Sequence, residues 1–174
     1  MMDLKAIIAG FKRNGAAIEA AYEGVSTEGL RWKPNEKKWS LLEILCHLAD
    51  EEKRDFRTRV RLTLEGAGDK WPPIDPEGWV TEFRYNEQDL AAVLTRFRDE
   101  RAESLRWLRS LKKPDWEIAH EHPSLGRMRA GDLLASWAAH DLLHLKQIAR
   151  TKAMLLAHDL KPFSARYADP SLGD

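Results

Sequence analysis

The chain has 174 residues, with 28 basic and 28 acidic side chains and therefore a formal net charge of zero. A protein that binds nucleic acid or an anionic membrane usually carries an excess of basic side chains, so the composition argues against both partners. The single cysteine, Cys46, excludes an intramolecular disulfide and a zinc site built from several cysteines. Without a signal-peptide pattern or a membrane-spanning apolar run, we expect one cytoplasmic domain over residues 1–174.

Four segments have the apolar periodicity of amphipathic helices. The predicted helices are residues 3–23, 40–65, 86–111 and 130–158. Ser40 and Glu43 form a capping box at the start of the second helix, and Asn86 is the predicted cap of the third. The arginines in residues 54–61 and 96–109 alternate with acidic residues, which predicts solvated helix faces.

The connections between these helices contain proline and glycine and are longer than the shortest loops of a simple bundle. This pattern predicts an all-α fold, a four-helix bundle with long crossover connections. Residues 116–120 alternate enough for a short hairpin at most, and residues 161–174 are predicted to pack as an irregular strap. Five tryptophans lie in or beside the connections, where they can cap the bundle or line a pocket mouth: Trp32, Trp39, Trp71, Trp79 and Trp116.

Two histidines of the last helix, His140 and His144, are four residues apart and therefore project from the same face. Steps of three, four or seven residues connect them to Leu133, Trp137 and Ile148, which places both on the core-facing stripe. A pair of buried imidazoles needs hydrogen-bond partners or a metal ion, because an unsatisfied buried polar group costs about 1–3 kcal/mol. The residues alone leave both readings open.

Other histidines could extend or duplicate such a site. His47 lies on the second helix, where it can face the interior either as a hydrogen-bonded core histidine or as a third ligand. His120 and His122 are two residues apart, as on one side of a strand, and form either a second metal site or part of an exposed loop. Cys46 is turned by roughly 100° from His47 on the same helix, which predicts a small buried side chain.

Three segments, residues 30–34, 38–48 and 137–145, carry a resemblance to a known family. Trp39-Ser40-x-x-Glu43-x-x-x-His47, followed by His140-Asp141-x-x-His144, resembles the DinB-like superfamily over nearly the full length of the chain. This damage-inducible group of metal-associated proteins is not the DNA polymerase that shares the name. In one departure, Arg129 stands where similar sequences often have Thr or Ser as a helix cap.

The resemblance implies a four-helix bundle with long crossovers, a divalent metal ion such as Zn²⁺ or Ni²⁺, and a homodimer. Matched motif to motif, the metal ligands fall on His47, His140 and His144. Relatives include transferases and isomerases that use a low-molecular-weight thiol, and other members are described as metal-dependent hydrolases. The resemblance therefore implies a small-molecule substrate and either thiol transfer or hydrolysis.

Three neutral imidazoles leave coordination positions open on a divalent ion, which is the pattern of a catalytic site. Glu51, one turn after His47, is the first candidate for the base that such chemistry needs, and Asp50 and Asp141 are weaker candidates. Each carboxylate has a solvated or supporting role as its alternative. Besides a metal-dependent enzyme, the sequence allows a non-catalytic, metal-stabilised binding module, whereas zero net charge argues against a nucleic-acid binder.

Overall fold

The computed structural model describes residues 2–172; Met1, Gly173 and Asp174, which belong to the predicted domain or tail, lie outside the described residues. In chain order the helices are α1 (Leu4–Ala20), α2 (Thr27–Arg31), α3 (Leu41–Asp50), a π-helix (Glu51–Arg57), α4 (Thr58–Leu64), α5 (Pro76–Glu82), α6 (Leu90–Ser110) and α7 (Ala130–Asp159). Short 3₁₀ turns cover Gly68–Lys70, Tyr85–Glu87 and Pro170–Leu172.

Four long helical arms form the bundle: α1, the continuous unit of α3, the π-helix and α4, then α6 and finally α7. The first arm packs against α6 and α7, and α3 also packs against both of these helices. Long connections that contain α5 and a β-hairpin join the later arms. The predicted all-α four-helix bundle with long crossovers is confirmed, although the sequence analysis did not separate the short helices α2 and α5.

The core consists of two neighbouring apolar clusters. One is centred on α3 and includes Leu41 and Ile44, and the other joins α1 and α7 through Phe11 and Trp137, whose ring centroids are 4.9 Å apart. The stripe predicted for the last helix is buried at Leu133, Trp137 and Ile148. This burial fixes which face of α7 turns towards the second arm.

The capping box at the start of α3 is confirmed. The Ser40 hydroxyl accepts a hydrogen bond from the Glu43 backbone N–H at 3.1 Å, and Glu43 Oε2 accepts one from the Ser40 N–H at 2.8 Å. Together these two bonds satisfy donors that the first helical turn leaves without intrahelical partners. They fix where α3 begins, and with it the position of His47 two turns later.

The predicted cap of the third helix is wrong. Asp89 caps α6 by accepting from the Ala92 N–H at 2.9 Å, while Asn86 lies in the preceding 3₁₀ turn. Asn86 instead bridges two connections, since its amide donates to the Arg31 carbonyl and its Oδ1 accepts from the Ser40 hydroxyl. These long-range partners outweigh the local capping preference.

A hairpin of β1 (Ala119–His122) and β2 (Gly126–Arg129) directly precedes α7. The strands pair antiparallel, with Ala119 opposite Arg129, and the turn uses Gly126 at a φ of 69°. The hairpin starts later than residues 116–120, where the sequence predicted one. Arg129 is the N-cap residue of α7, so the predicted start of that helix at Ala130 is confirmed.

None of the helices in residues 2–172 combines the length and the apolar character that a membrane crossing requires.

Candidate metal centre

Three imidazoles from two arms of the bundle converge on one point, and we call His47, His140 and His144 the histidine cluster. The Nε2 atom of His47 lies 3.3 Å from that of His140 and 3.1 Å from that of His144, and the last two Nε2 atoms are 3.0 Å apart. His47 is buried on α3, and the two histidines of α7 are half-buried. The structure therefore brings together the three residues that the resemblance assigned as ligands.

Electrostatics keeps the cluster neutral. Burial, with the neighbouring imidazoles, lowers the pKa of His47 to about 2, and burial with His144 and Arg101 lowers the pKa of His140 to about 3. Burial also lowers the pKa of His144. The Nδ1 atom of His144 lies 2.7 Å from the Gln147 amide oxygen. Because that oxygen only accepts, Nδ1 carries the proton and Nε2 presents a lone pair to the cluster.

The donor set fits a divalent ion. Nitrogen ligands lie about 2.0–2.1 Å from zinc, so two of them in a tetrahedral arrangement are about 3.3 Å apart. The observed Nε2 separations of 3.0–3.3 Å match this spacing. Three Nε2 atoms at these distances cannot all hydrogen-bond to one another, since the Nε2 atom of a neutral ring either carries a proton or offers a lone pair, and never both. Within residues 2–172, this is the one group of three or more potential ligands found close enough to share an ion.

Aromatic side chains form two walls of the histidine cluster. The ring centroid of Trp39 lies 4.7 Å from that of His47, and the centroid of Phe56 lies 4.9 Å from that of His140. Phe56 also stacks on Trp137, with an interplanar angle of 4°. Trp39 is therefore a connection tryptophan that lies at the site itself. The apolar walls restrict access of water and strengthen electrostatic interactions at the centre.

Glu51, the predicted base, begins the π-helix one turn after His47. Its side chain is buried and its Oε1 atom has no hydrogen-bond partner among the described residues. Burial and the Asp55 carboxylate raise the pKa of Glu51 to about 8, and burial raises the pKa of Asp55. Arg59 Nε lies 2.8 Å from Asp55 Oδ1, although neither atom has a partner in hydrogen-bonding geometry. A chain of polar groups thus leads away from the cluster.

Asp50, Asp141 and Cys46 have partners elsewhere. The Tyr85 hydroxyl donates to Asp50 Oδ2 at 2.6 Å, and Asp141 bonds to Arg101. Cys46 is fully buried with its sulfur 3.7 Å from the Tyr85 carbonyl oxygen, and burial raises the pKa of the thiol to about 12. The cysteine is therefore a protonated core side chain, as the sequence predicted.

A second buried polar cluster adjoins the histidines and was missed by the sequence analysis; we call Arg101, Glu52 and Asp141 the arginine cluster. The Arg101 guanidinium donates to both oxygens of Glu52 at 2.8 and 2.9 Å and to both oxygens of Asp141 at 2.7 and 2.8 Å. It also donates to the Phe11 carbonyl, and the Trp137 indole N–H donates to Glu52.

This arrangement corrects the prediction that the arginines of residues 96–109 form a solvated face, because Arg101 is only 5% exposed. The alternation of charge along α6 is real, but the face with Arg101 turns inwards, where two carboxylates supplied by other arms neutralise it. No local signal distinguishes this arginine from its neighbours. The cluster connects all four arms of the bundle directly beside His140.

The histidines of the hairpin do not join a metal-ligand group in the part of the chain that the structure describes. Nδ1 of His122 accepts hydrogen bonds from the backbone N–H groups of Ser124 and Leu125, each at 3.2 Å. The ring of His120 packs against Trp71, with the centroids 4.8 Å apart. Both histidines are half-buried in β1, where they make turn and packing contacts, and neither lies in the exposed loop that was one of the two alternatives.

A cavity of about 650 Å³ lies away from the histidine cluster, at the other end of α7. Trp32, His158 and Phe163 contribute to its lining, and none of the three clustered histidines does. His158 follows His144 by fourteen residues, or about 21 Å along a helix. Cavity size alone therefore does not identify the candidate metal site.

Comparison with known proteins agrees with these observations. The chain is similar to YfiT from Bacillus subtilis, described as "a probable metal-dependent hydrolase with an unusual four-helix bundle topology", with a TM-score of 0.74 and 17% identity over 87% of each chain. No curated protein matches the sequence. The family model of the DinB superfamily matches residues 11–148, which include all three clustered histidines. The chain belongs to the DinB superfamily.

Proposed function

We propose that the protein is a metal-dependent hydrolase of a small-molecule substrate, with one divalent ion held by His47, His140 and His144. The main observation in support of this proposal is the convergence of three neutral Nε2 atoms within 3.0–3.3 Å of one another. The description of the similar protein YfiT as "a probable metal-dependent hydrolase" is consistent with this chemistry. Zn²⁺ and Ni²⁺ are the ions we propose first, because imidazole nitrogen suits both.

A divalent ion at a three-histidine site acts as a Lewis acid, which activates water and polarises a carbonyl or phosphoryl oxygen. The protein orients the ligands through its own contacts, since Gln147 accepts from Nδ1 of His144 and so fixes the tautomer of that ring. Trp39 and Phe56 limit the approach of bulk water on two sides. An ion held by these three histidines would keep a coordination position for water or substrate, because no carboxylate joins the ligand group within residues 2–172.

Glu51 is the proposed proton acceptor. Its Oε1 has no partner, and its raised pKa of about 8 lies near neutral pH, where a general base works efficiently. Glu51 and Asp55 form a carboxyl pair, since burial raises the pKa of Asp55 as well. This pair would hold the proton that Oε1 of Glu51 accepts. Arg59 at the end of this chain of groups compensates the remaining negative charge.

The test measures metal content and turnover in the same preparations. We expect the zinc- or nickel-loaded protein to hydrolyse members of an ester, amide and phosphoester panel. A His140→Ala variant should lose bound metal and activity together. A Glu51→Gln variant should retain the metal and lose about 10²–10⁴-fold in kcat, as expected for a missing acid–base group.

The matched control for Glu51→Gln is Glu65→Gln, since Glu65 is exposed near the end of the same arm and its substitution should leave kcat unchanged. Metal loss in His140→Ala with undiminished turnover contradicts the proposal. A metal-loaded protein that conjugates a low-molecular-weight thiol but hydrolyses nothing shows that the reaction is thiol transfer instead. Metal binding without turnover on either panel leaves the binding module as the correct reading.

A further inference from the structure

The cavity at the far end of α7 lies where the C-terminal segment folds back over that helix; we call it the terminal cavity. Its volume of about 650 Å³ falls within the range of about 300–1,000 Å³ that is typical of small-molecule sites. Three parts of the chain form its walls: the connection after α2, the last two turns of α7, and two stretches of the C-terminal segment, residues 161–164 and 171–172. The cavity is therefore a product of tertiary packing.

Arg150 fixes the C-terminal segment against α7. Its guanidinium donates to Asp169 Oδ2 at 2.6 Å and to the Ser171 hydroxyl at 2.5 Å. Asp169 Oδ1 also accepts from the Ser171 backbone N–H at 2.9 Å. Ser171 and Leu172 both line the terminal cavity. Specific hydrogen bonds therefore hold this wall in place.

Aromatic and apolar side chains supply much of the lining. The ring centroid of Trp32 lies 5.4 Å from that of His158, with an interplanar angle of 38°. Phe163 also lines the terminal cavity although 78% of its side chain is exposed, and Met154 adds a flexible apolar group. Aromatic rings stack on flat partners at centroid distances of about 4.5–7 Å. The lining therefore favours a ligand with a flat apolar ring.

The charge of the lining is positive. Lys161 contributes an ammonium group, and none of the lining residues is acidic. Asp159 belongs to α7 but lies outside the lining, and Asp169 is already paired with Arg150. Ser164 adds a hydroxyl group that can donate a hydrogen bond. An ammonium group and a hydroxyl donor beside aromatic rings fit an anion, because hydrogen bonds to an ionised acceptor are the stronger ones.

We propose that the terminal cavity is a second ligand site of this protein and that it binds an aromatic carboxylate. The carboxylate pairs with Lys161 and accepts from the Ser164 hydroxyl, while the ring stacks on Trp32 and covers part of Phe163. A neutral ring compound lacks the ion pair with Lys161. An aliphatic acid lacks the flat surface for the aromatic walls. Both should therefore bind less tightly than an aromatic acid of similar size.

This site is separate from the proposed metal centre. None of the clustered histidines lines the terminal cavity, and His158 follows His144 by fourteen residues, or about 21 Å along α7. The proposed contacts with the carboxylate involve no metal ion. The terminal cavity and the proposed hydrolase can therefore fail independently of each other.

Nuclear magnetic resonance of the ¹⁵N-labelled full chain, titrated with 2-naphthoate, tests the proposal. The indole N–H signals of Trp32 and Trp39, assigned from Trp32→Phe and Trp39→Phe, report on the terminal cavity and the histidine cluster respectively. We expect the Trp32 signal to shift with a dissociation constant of about 1 mM or lower, and the Trp39 signal to stay in place. The same result is expected after treatment with EDTA.

Two further probes separate the charge from the ring. The neutral 2-naphthalenemethanol and the aliphatic octanoate should each bind about tenfold more weakly than 2-naphthoate. Equal or tighter binding of the alcohol overturns the anionic ligand, and equal or tighter binding of octanoate overturns the aromatic one. A shift at Trp39 that equals or exceeds the shift at Trp32 overturns the terminal cavity as the binding site. So does an unchanged Trp32 signal at about 10 mM 2-naphthoate.

Lys161→Met tests the assigned cation, since it removes the charge from an exposed side chain and keeps most of the apolar stem. Its affinity for 2-naphthoate should fall about tenfold, while its affinity for 2-naphthalenemethanol stays unchanged. Lys146→Met is the matched control, because Lys146 is exposed on α7 outside the lining. Wild-type affinity of Lys161→Met for 2-naphthoate overturns the assigned ion pair.

Discussion

The histidine cluster and the arginine cluster lie side by side, since His140 belongs to the first and the next residue, Asp141, belongs to the second. Both are polar groups inside an apolar bundle. In the arginine cluster the chain supplies its own cation, and Glu52 and Asp141 each receive two hydrogen bonds from Arg101. In the histidine cluster three neutral rings present nitrogens to one another, at separations that fit a divalent cation.

The difference separates a structural role from a functional one. A buried charge is stable when it is paired and hydrogen-bonded, and the arginine cluster satisfies that condition without any ligand. Convergent nitrogen lone pairs are stabilised when an ion enters between them, so the histidine cluster is complete only with an added cation. We therefore expect removal of Arg101 to damage the fold, and changes at the histidines to alter ligand binding.

The largest effect is expected for Arg101→Met, which keeps most of the apolar stem but leaves Glu52 and Asp141 without their cation. Breaking a buried ion pair in this way costs about 3–5 kcal/mol in the free energy of unfolding. Urea unfolding of the metal-free protein measures the loss. Adding Asp141→Asn to Arg101→Met should restore part of the stability, because one uncompensated charge disappears.

Arg98→Met is the control on the same helix. Arg98 forms an exposed ion pair with Glu19, and exposed pairs contribute about 0–1 kcal/mol. Equal losses at Arg98 and Arg101 would mean that burial and hydrogen bonding do not make the arginine cluster more important to stability than an exposed ion pair.

The second effect concerns the binding of a divalent ion to the histidine cluster. Zn²⁺ at one hundred times its dissociation constant should stabilise the wild type by about 2.7 kcal/mol, since only the folded protein presents the complete site. The gain should vanish in His144→Ala and persist in His120→Ala, because His120 packs on Trp71 outside the cluster. Thermal unfolding with and without Zn²⁺ checks this, and an unchanged gain in His144→Ala rules out the assigned ligands.

Local sequence signals predicted much of this architecture. The Ser40–Glu43 capping box fixes the start of α3, and the four-residue spacing of His140 and His144 places them on one face of α7, as observed. Both features depend on contacts within one helix. The approach of His47 to the pair depends on packing between arms, and only the family resemblance identified it.

The arginine cluster and the π-helix were not predictable in the same way. Arg101 is 49 residues from Glu52 and 40 from Asp141, so its burial becomes visible only when three arms are assembled. The π-helix of Glu51–Arg57 contains no Gly or Pro that would indicate an irregularity, and the sequence predicted an uninterrupted helix over residues 40–65. π-Helical turns are rare and lie mostly inside α-helices, so helical periodicity does not reveal them.

The smallest of the three effects tests Glu51, which follows His47 at the start of this π-helix and was predicted as the base. Its folded pKa of about 8 lies above the ordinary value of 4.5. Between these values the folded protein retains a proton that the unfolded chain has lost, so stability falls as pH rises. Glu51→Gln removes this titration, and the stability of the variant relative to metal-free wild type should therefore increase by about 2 kcal/mol from pH 6 to pH 8.

Urea unfolding at several pH values in EDTA measures that difference. Glu65→Gln should keep the wild-type profile, because Glu65 is exposed and pairs with Arg61 in solvent. A parallel profile for Glu51→Gln and wild type shows that Glu51 is already ionised at pH 6 in the folded protein. Glu51 would then resemble the carboxylates of the arginine cluster, whose charge the fold compensates, and a pKa near neutral pH would no longer support it as the proton acceptor.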